Sequence, residues 1–282
     1  MKIEHHKIAR LVLTKGLYGK DGNFNRKEIE KGFNNFLNKT FDKQHFEFLV
    51  MAGGVINSNF PDELEDKYSI DELEIKHIDE FVDWGEEVLA YFFNSVLEAS
   101  FDKLKETVDY FTIGFDCFSQ KNKQHIELVA IADVKNEGKI HWTGKFYPIE
   151  AQKRSLVKVN DLSSHFVRLN NQNVLVLGCH DLDVFHPRGQ ANVVPDSYKG
   201  KISAKFKREC KKFKPDIVLQ HPHSTYFART WSPAWDVLEK ELPSVQHYAS
   251  GIFYPTLKEK KDTLEKVLEK TKKGDVIDFI LM

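Results

Sequence analysis

In the first 55 residues, the pattern of apolar positions changes from that of a β-strand to that of a helix and back to that of a strand. The apolar run IARLVL at 8–13 predicts a β-strand, and the Gly- and Asn-rich segment 16–25 after it predicts a turn. An amphipathic helix is predicted next, because apolar residues recur at i, i+4, i+7 and i+8 behind a capping-box pair at Asn25 and Glu28: Ile29, Phe33, Phe36 and Leu37. A second apolar run at 45–55 predicts a strand that stops at Gly53 and Gly54. The pattern predicts a β-α-β unit.

The middle of the chain predicts a long loop, a helix and a β-hairpin. The polar stretch 57–76, which contains Pro61 and many acidic residues, is interpreted as a loop or irregular insertion. Apolar positions keep a helical period over 78–108, and the apolar stripe is wide enough to pack on a sheet. The runs DYFTIGFDCF at 109–118 and IELVAIADV at 126–134 predict a hairpin or meander that continues through the turn NEGKI.

The last 110 residues or so alternate strands and helices again. A buried strand is predicted at 174–177, directly before Gly178 and Cys179, and an amphipathic helix whose many lysines form a solvated face is predicted at 201–214. Further elements are predicted in this order: a strand at 215–225, a short helix at 235–242, a strand at 244–254, a helix at 258–273 capped by Gly274, and a strand at 276–281. Because no repeat or low-complexity linker interrupts the pattern, residues 1–282 are predicted to form one α/β domain.

Composition narrows the class of protein. Lys and Arg number 41 and Asp and Glu 42, so the formal net charge is -1, which argues against a nucleic-acid-binding polycation and against an acidic tail. Hydrophobic residues make up 41% of the chain, enough to bury a core. Three cysteines are too few for a disulfide framework and favour a reducing compartment. With no apolar run near the roughly 20 residues that span a bilayer and no signal-peptide pattern, we expect a soluble, cytoplasmic protein without a membrane partner.

Three predicted strand ends carry residues that could do chemistry, since ligands of α/β sheets bind where strands end. Lys145 follows Gly144 among aromatic residues, and it could equally be a surface lysine whose stem lies over those rings. Cys179 could be a nucleophile or a small core residue. His221 and His223, at i and i+2 of an extended strand, could share one side of it as hydrogen-bonding residues or as metal ligands.

Two motifs together resemble the carbon-nitrogen hydrolase (nitrilase and amidase) superfamily. TGKFYP at 143–148 is similar to its lysine motif, and VLVLGCHDLDVFHPRG at 174–189 is similar to its nucleophile motif, 34 residues on when counted from Lys145 to Cys179. The resemblance implies a four-layer α-β-β-α sandwich and hydrolysis of an amide or nitrile in a small molecule. It also implies no cofactor and a possible homodimer. Cys179 would be the nucleophile, its pKa lowered by Lys145, and Lys145 would stabilise the oxyanion.

This sequence differs from the family pattern at the family's first catalytic acid. It is expected just after the second strand, but this sequence has Met51, Ala52, Gly53 and Gly54 there. Glu63, Glu65 or Glu150 could supply a carboxylate, and Glu150, which matches the neighbourhood of a second family Glu, completes our catalytic set with Cys179 and Lys145. The neighbouring residues predicted to bind substrate are His180, Asp181, His221, His223 and Tyr147. A missing acid leaves three possibilities: a displaced general base, a different reaction, or a non-catalytic nitrilase-like binding protein.

A metal-dependent hydrolase is the remaining alternative. His180 and Asp181, followed by His221 and His223, faintly resemble the ligand order of calcineurin-like metallophosphoesterases. Those enzymes also need an early Asp-x-His on a strand end, and this chain has no such triplet. The leading interpretation therefore has no metal.

Overall fold

The computed structural model describes residues 2–14, 26–60, 74–75, 81–121, 123–136, 139–255 and 260–281. The strands are β1 Glu4–Leu13, β2 Gln44–Val50, β3 Ile56–Asn59, β4 Glu74–Ile75, β5 Val108–Phe118, β6 His125–Asp133, β7 Ile140–Gly144, β8 Lys158–Val159, β9 Phe166–Leu169, β10 Gln172–Leu177, β11 Ile217–Gln220, β12 His247–Ser250, β13 Ile252–Phe253, β14 Lys272–Lys273 and β15 Val276–Leu281. The α-helices are α1 Arg26–Thr40, α2 Val82–Phe92, α3 Phe101–Thr107, α4 Pro187–Gln190, α5 Tyr198–Phe213, α6 Ser232–Glu241 and α7 Leu264–Lys270.

The strands form two main sheets. In the first, the order is β13-β1-β2-β5-β6-β7, with β15 also paired to β1 and β3 to β5. Its β1, β2 and β5 are parallel, whereas β5, β6 and β7 form an antiparallel meander. The second sheet has the order β14-β12-β11-β10-β9, and its central β10, β11 and β12 are parallel. A small sheet pairs β4 with β8.

The two sheets pack face to face and each carries helices on its outer face. Between the sheets lies an apolar layer that includes Phe48 and Val129 from the first sheet and Val176 and Leu219 from the second. The helices α1 and α2 cover the outer face of the first sheet, and α5 and α6 cover that of the second. The predicted α-β-β-α sandwich is confirmed.

The structure changes three of the predicted boundaries. The stretch interpreted as a loop from residue 57 begins with β3, which pairs with β5 because a free edge of that long strand lies beside it. The helical pattern at 78–108 is interrupted by a π-helical turn at Phe93–Leu97. The last helix begins only at Leu264, where the Thr263 side chain accepts the N–H of Lys266, and Gly274 lies after β14 with φ 78°. Asn25, Lys258 and most of 57–76 lie outside the described residues.

Within the described ranges, none of the helices combines the length and the apolarity that crossing a bilayer requires.

Candidate active site

Charged side chains stand in a row across three neighbouring strands of the first sheet. Asp116 of β5 lies directly opposite Glu127 of β6, and Lys145, just past β7, donates its backbone N–H to the Glu127 carbonyl at 2.8 Å. Because side chains alternate between faces along a strand, Glu127 lies on the same face as Val129 and Ile131, which contact the second sheet. The charged row therefore faces the space between the sheets.

Glu127 and Lys145 form a buried ion pair within this row. The Lys145 Nζ donates to Glu127 Oε1 at 2.8 Å and to Gln152 Oε1 at 2.6 Å, and Gln152 Nε2 donates to the same Glu127 oxygen at 2.7 Å. Burial acts to raise the pKa of Glu127, but the Lys145 ammonium and His223 outweigh it, so this pKa lies well below its usual value. Burial likewise acts to lower the pKa of Lys145, which the Glu127 carboxylate nevertheless raises. Both side chains are charged at neutral pH.

Cys179 and His223 reach the same space from the second sheet. Cys179 follows the end of β10 and His223 follows the end of β11, and these parallel strands end at the same edge. The His223 backbone N–H donates to Cys179 Sγ at 3.5 Å. One ligand atom each of Glu127, Cys179 and His223 lies within 4.8 Å of the other two. Residues from both sheets, Glu127 of β6 and His223 after β11, thus lie beside the Cys179 sulfur.

His223 bridges the two carboxylates of the row. Its Nε2 lies 2.7 Å from both Asp116 carboxylate oxygens, and its Nδ1 lies 3.7 Å from Glu127 Oε2. Burial acts to lower the pKa of His223, but Asp116, Glu127 and Cys179 raise it well above its ordinary value. Glu127 Oε2 is buried and has no hydrogen-bond partner within the described residues. An acceptor therefore remains open next to an imidazolium and a thiol.

The thiol of Cys179 lies between two histidines. Burial acts to raise its pKa, but His180 and His223 lower it to about 6, so the thiolate predominates at neutral pH. His180 is itself held by Asp183, whose Oδ2 lies 2.9 Å from His180 Nδ1, and its ring packs 5.0 Å from that of Trp231. Cys179 has only 6% of its surface exposed and borders the apolar core of the second sheet, yet Glu127 and His223 lie beside its sulfur.

Two glycines make this convergence sterically feasible. Gly54 has φ 59°, and a Cβ there would lie 2.6 Å from Asp116 Oδ2 and from His223 Cδ2. A Cβ on Gly178 would lie 2.8 Å from Asp181 Oδ2 and 3.2 Å from Lys145 Cβ. Gly178 thus lets the end of β10 approach Lys145, and Gly54 leaves room for the Asp116–His223 pair where the expected acid is missing.

The structure does not bring Glu150 to the cluster. Its side chain is 83% exposed, and its carboxylate lies 2.7 Å from the ammonium of Lys153 on the same turn. Two residues on, Gln152 is the member of this turn that contacts Lys145 and Glu127. The placement of Glu150 in the catalytic set is therefore corrected: the carboxylate beside Lys145 is that of Glu127. Glu63 and Glu65 lie outside the described residues.

Three of the residues predicted to bind substrate are occupied by structural contacts. Asp181 is fully buried, and its carboxylate accepts the backbone N–H groups of Phe146, Tyr147 and Gly178. Burial raises the pKa of Asp181 to about 7 against those donors. The hydroxyl of Tyr147 accepts from Gln190 Nε2 at 2.9 Å. His221 Nδ1 donates to the Met51 carbonyl at 2.8 Å, and burial lowers its pKa to about 4, so its ring is neutral.

His221 and His223 do not share partners, although they were expected to share one side of a strand. The strand β11 ends at Gln220, so both histidines lie beyond its regular alternation. His221 contacts the end of β2, whereas His223 contacts β5 and β6. His180 and His223 are thus the two predicted residues that lie beside Cys179.

The four ligands of the metal alternative are not brought together. Asp181 is engaged by backbone donors and His221 by a carbonyl. Of the four predicted ligands, His223 alone belongs to the Glu127–Cys179–His223 group. That group is already neutralised, since the Lys145 ammonium lies 2.8 Å from Glu127. The charge of the Lys145 ammonium opposes the approach of a second cation to that group.

Comparison with known proteins identifies the fold. No protein-family model and no curated protein sequence matches the chain. Among solved structures, the C. elegans NitFhit protein is similar with a TM-score of 0.51 and 10% identity, over 93% of this chain and 55% of that one. The likeness, together with the observed sandwich, shows that the chain has the carbon-nitrogen hydrolase fold.

Two other solved structures are similar to the chain with lower TM-scores. A CN-hydrolase superfamily protein of Xanthomonas campestris, solved with an arsenic adduct in its active site, is 11% identical with a TM-score of 0.41, over 88% of this chain and 75% of that one. The glutamine-dependent NAD+ synthetase of Acinetobacter baumannii is 14% identical with a TM-score of 0.44, over 86% and 38%. The chain thus spans well under two thirds of the synthetase and NitFhit chains.

Proposed function

We propose that this protein is a cysteine-dependent hydrolase that cleaves a carbon-nitrogen bond, in an amide or nitrile, of a small molecule. Cys179 is the nucleophile, Lys145 stabilises the oxyanion, and Glu127 is the general base. The observation that carries the proposal is the position of Glu127, whose carboxylate is 2.8 Å from the Lys145 ammonium and within 4.8 Å of the Cys179 sulfur. This carboxylate takes the role of the acid that is missing after β2.

The chemistry follows from these positions. The thiolate attacks the amide carbon, and the oxygen that becomes negative is stabilised by the buried ammonium of Lys145. The carbon-nitrogen bond then breaks, the amine leaves with a proton, and a thioester remains on Cys179. Water attacks the thioester while Glu127 takes its proton, which releases the acid and restores the thiolate.

The thiolate is tested by alkylation with iodoacetamide at pH 7, followed by mapping of the adducts. We expect Cys179 to react first, because its pKa is lowered to about 6. The chain supplies its own controls: Cys117 is fully buried, and burial raises the pKa of Cys210 far above its ordinary value. If Cys179 reacts no faster than these two, the activated nucleophile is wrong.

Acyl transfer is tested with p-nitrophenyl acetate, an acyl donor whose leaving group needs no proton. The wild type is expected to form an acetyl adduct on Cys179 and to release it on further incubation, and Cys179→Ala is expected to form none. An unmodified Cys179 in the wild type would contradict the proposed function and would favour the non-catalytic binding protein instead.

A further inference from the structure

The pair formed by His223 and Asp116 has a geometry that the three proposed catalytic groups do not explain. We propose that His223, held by Asp116, is the acid that protonates the leaving amine, so that two separate groups divide the work of the single missing family acid. Glu127 would take the proton of water, and His223 would give a proton to nitrogen. This inference rests on the proposed function and adds a catalytic residue and a positioning residue to it.

The first support is the position of His223 next to the reacting sulfur of Cys179. Its backbone N–H contacts Cys179 Sγ at 3.5 Å, and its ring lies in the same 4.8 Å group as that sulfur and Glu127. The leaving amine of a tetrahedral intermediate is bonded to the carbon that the sulfur holds. A proton donor within hydrogen-bonding reach of that nitrogen must therefore lie next to the sulfur.

The second support is the orientation of the imidazole. Asp116 accepts from Nε2 with both carboxylate oxygens at 2.7 Å, which fixes the ring and directs Nδ1 toward Glu127 Oε2 at 3.7 Å. A carboxylate that holds one ring nitrogen while the other faces a nucleophile is the arrangement that orients a catalytic histidine. Asp116 is 6% exposed, so this contact is shielded from water.

The third support is that Glu127 cannot do both jobs at once. One of its oxygens already accepts from Lys145 and from Gln152, and its charge is the counter-ion of the Lys145 ammonium. An ionised carboxylate can take a proton from water but has none to give to an amine. Of the protonated groups near the sulfur, the Lys145 ammonium is held by Glu127 and Gln152, and His180 is held by Asp183 near Trp231. His223 is the one that also lies beside the open oxygen of Glu127.

The proton balance closes without any further reactant. The resting site holds a thiolate, an imidazolium at His223 and a carboxylate at Glu127. During acylation the carbon-sulfur bond forms, the carbon-nitrogen bond breaks and the imidazolium proton leaves on the amine. During deacylation the proton of water passes to Glu127 and the carbon-sulfur bond breaks. That proton returns to His223 when Glu127 Oε2 and His223 Nδ1, which are 3.7 Å apart in the resting site, move within hydrogen-bonding distance. The carboxylic acid product ionises to solvent.

The test compares two acetyl donors that differ in their need for an acid. p-Nitrophenyl acetate expels a stable phenolate, whereas p-nitroacetanilide must expel an amine that carries a proton. The measured quantities are the rates of acetyl-adduct formation on Cys179 by mass spectrometry in the wild type, His223→Gln and Asp116→Asn. We expect His223→Gln to slow acylation by the anilide on the order of 10²-fold or more and acylation by the ester by only a few-fold. Asp116→Asn should shift the same ratio in the same direction.

His180→Gln is the matched control, since it also removes a histidine that lowers the pKa of Cys179. It should slow both acylations by the same factor, because it changes the thiolate and not the leaving group. Equal losses for both donors in His223→Gln would overturn the proposal, as would a wild type that is acylated by the ester but not by the anilide. If the ester fails to acylate wild-type Cys179, the proposed function itself is wrong, and the two failures are therefore distinguishable.

Discussion

The protein contains two buried ion-pair networks that differ in how fully their polar atoms are used. Around Arg10, which is completely buried, the guanidinium donates to Asp278 Oδ1 at 2.6 Å and to the carbonyls of Leu268, Ser250 and Thr271. Around Glu127 the carboxylate is also buried, but its Oε2 has no hydrogen-bond partner among the described residues. Every guanidinium nitrogen in the first network has a partner, whereas the second retains an open acceptor beside Cys179.

The difference separates a structural role from a chemical one. A buried charge is tolerated when its polar atoms are paired, and each nitrogen of the Arg10 guanidinium has a partner as it joins β1 to β15, to α7 and to the residue after α7. An unpaired buried oxygen costs stability and persists where something else requires it. Glu127, with its neighbours Lys145, Cys179 and His223, fits the second case, and the following predictions test this contrast.

The largest effect is expected for Glu127→Gln. Loss of the general base should slow hydrolysis of acetyl–Cys179 by roughly 10²- to 10⁴-fold, so that the adduct from p-nitrophenyl acetate accumulates. The measurement is the rate at which the adduct disappears in quenched samples analysed by mass spectrometry. Glu47→Gln is the control, because Glu47 is also a buried carboxylate paired with a lysine, Lys7, at 2.6 Å. Equal turnover in wild type and Glu127→Gln would return Glu127 to a purely structural role.

Arg10→Met should show the opposite behaviour. It leaves the Asp278 carboxylate with Lys272 alone, at 2.6 Å, and should lower the free energy of unfolding by about 3 kcal/mol. The rate of Cys179 alkylation should stay within a few-fold of wild type at temperatures where the variant is folded. Urea unfolding measures the first quantity, with Lys207→Met as control, since its partly exposed pair with Glu241 contributes about 1 kcal/mol or less. A large loss of alkylation in folded Arg10→Met would remove the distinction between the networks.

Histidines extend the contrast, because His165 is fully buried and neutral whereas His223 is half-buried and charged. His165 donates from Nδ1 to the Val176 carbonyl at 2.7 Å among aromatic rings, and burial lowers its pKa to about 4. A histidine with a lowered pKa in the fold is protonated first in the unfolded chain. His165 therefore lowers the free energy of unfolding as the pH falls below about 6.5, the ordinary pKa of histidine, by about 2 kcal/mol between pH 7 and 5.

His165→Asn keeps a donor for the Val176 carbonyl but cannot titrate. We expect its free energy of unfolding to fall less steeply than that of the wild type between pH 7 and 5, as measured by urea unfolding at each pH. Parallel pH profiles for the two proteins would show that His165 is not neutral in the fold.

The order of elements was predictable because the apolar period changes at each boundary. Ile29, Phe33, Phe36 and Leu37 are all buried on one face of α1, as their spacing indicates. The spacing of apolar residues could not predict β3, since the four residues INSN have little apolar character. They form a strand because β5 extends beyond β2 and pairs with them. Pairing of that kind depends on the sheet and not on the segment itself.

The site residues that lie in a motif were predictable. Those marked only by the alternation of side chains along a strand were missed. Lys145 and Cys179 stand in recognisable motifs, but Asp116 and Glu127 stand inside strands that were interpreted as structural. A signal was present: from Phe111 on in β5 and from Ile126 on in β6 the outward positions are apolar, whereas Asp116 and Glu127 stand opposite each other at inward positions. A charge on the buried face of a predicted strand deserves a functional hypothesis, because it is costly unless it is paired. The pairing with His223 could not be foreseen, since it joins two sheets.

The smallest effect is expected for Glu150→Gln, which addresses the same contrast from the surface. Glu150 was the sequence-based candidate for the catalytic carboxylate, yet its side chain is 83% exposed and paired with Lys153 three residues on. Exposed pairs of this kind contribute little to stability and their charges are screened by solvent. We therefore expect acylation and deacylation of Cys179 in Glu150→Gln to lie within about two-fold of wild type under the conditions that stall Glu127→Gln. A loss in Glu150→Gln as large as that in Glu127→Gln would mean that the turn at 150–152 folds inward during the reaction, and that the surface position of Glu150 describes only the resting protein.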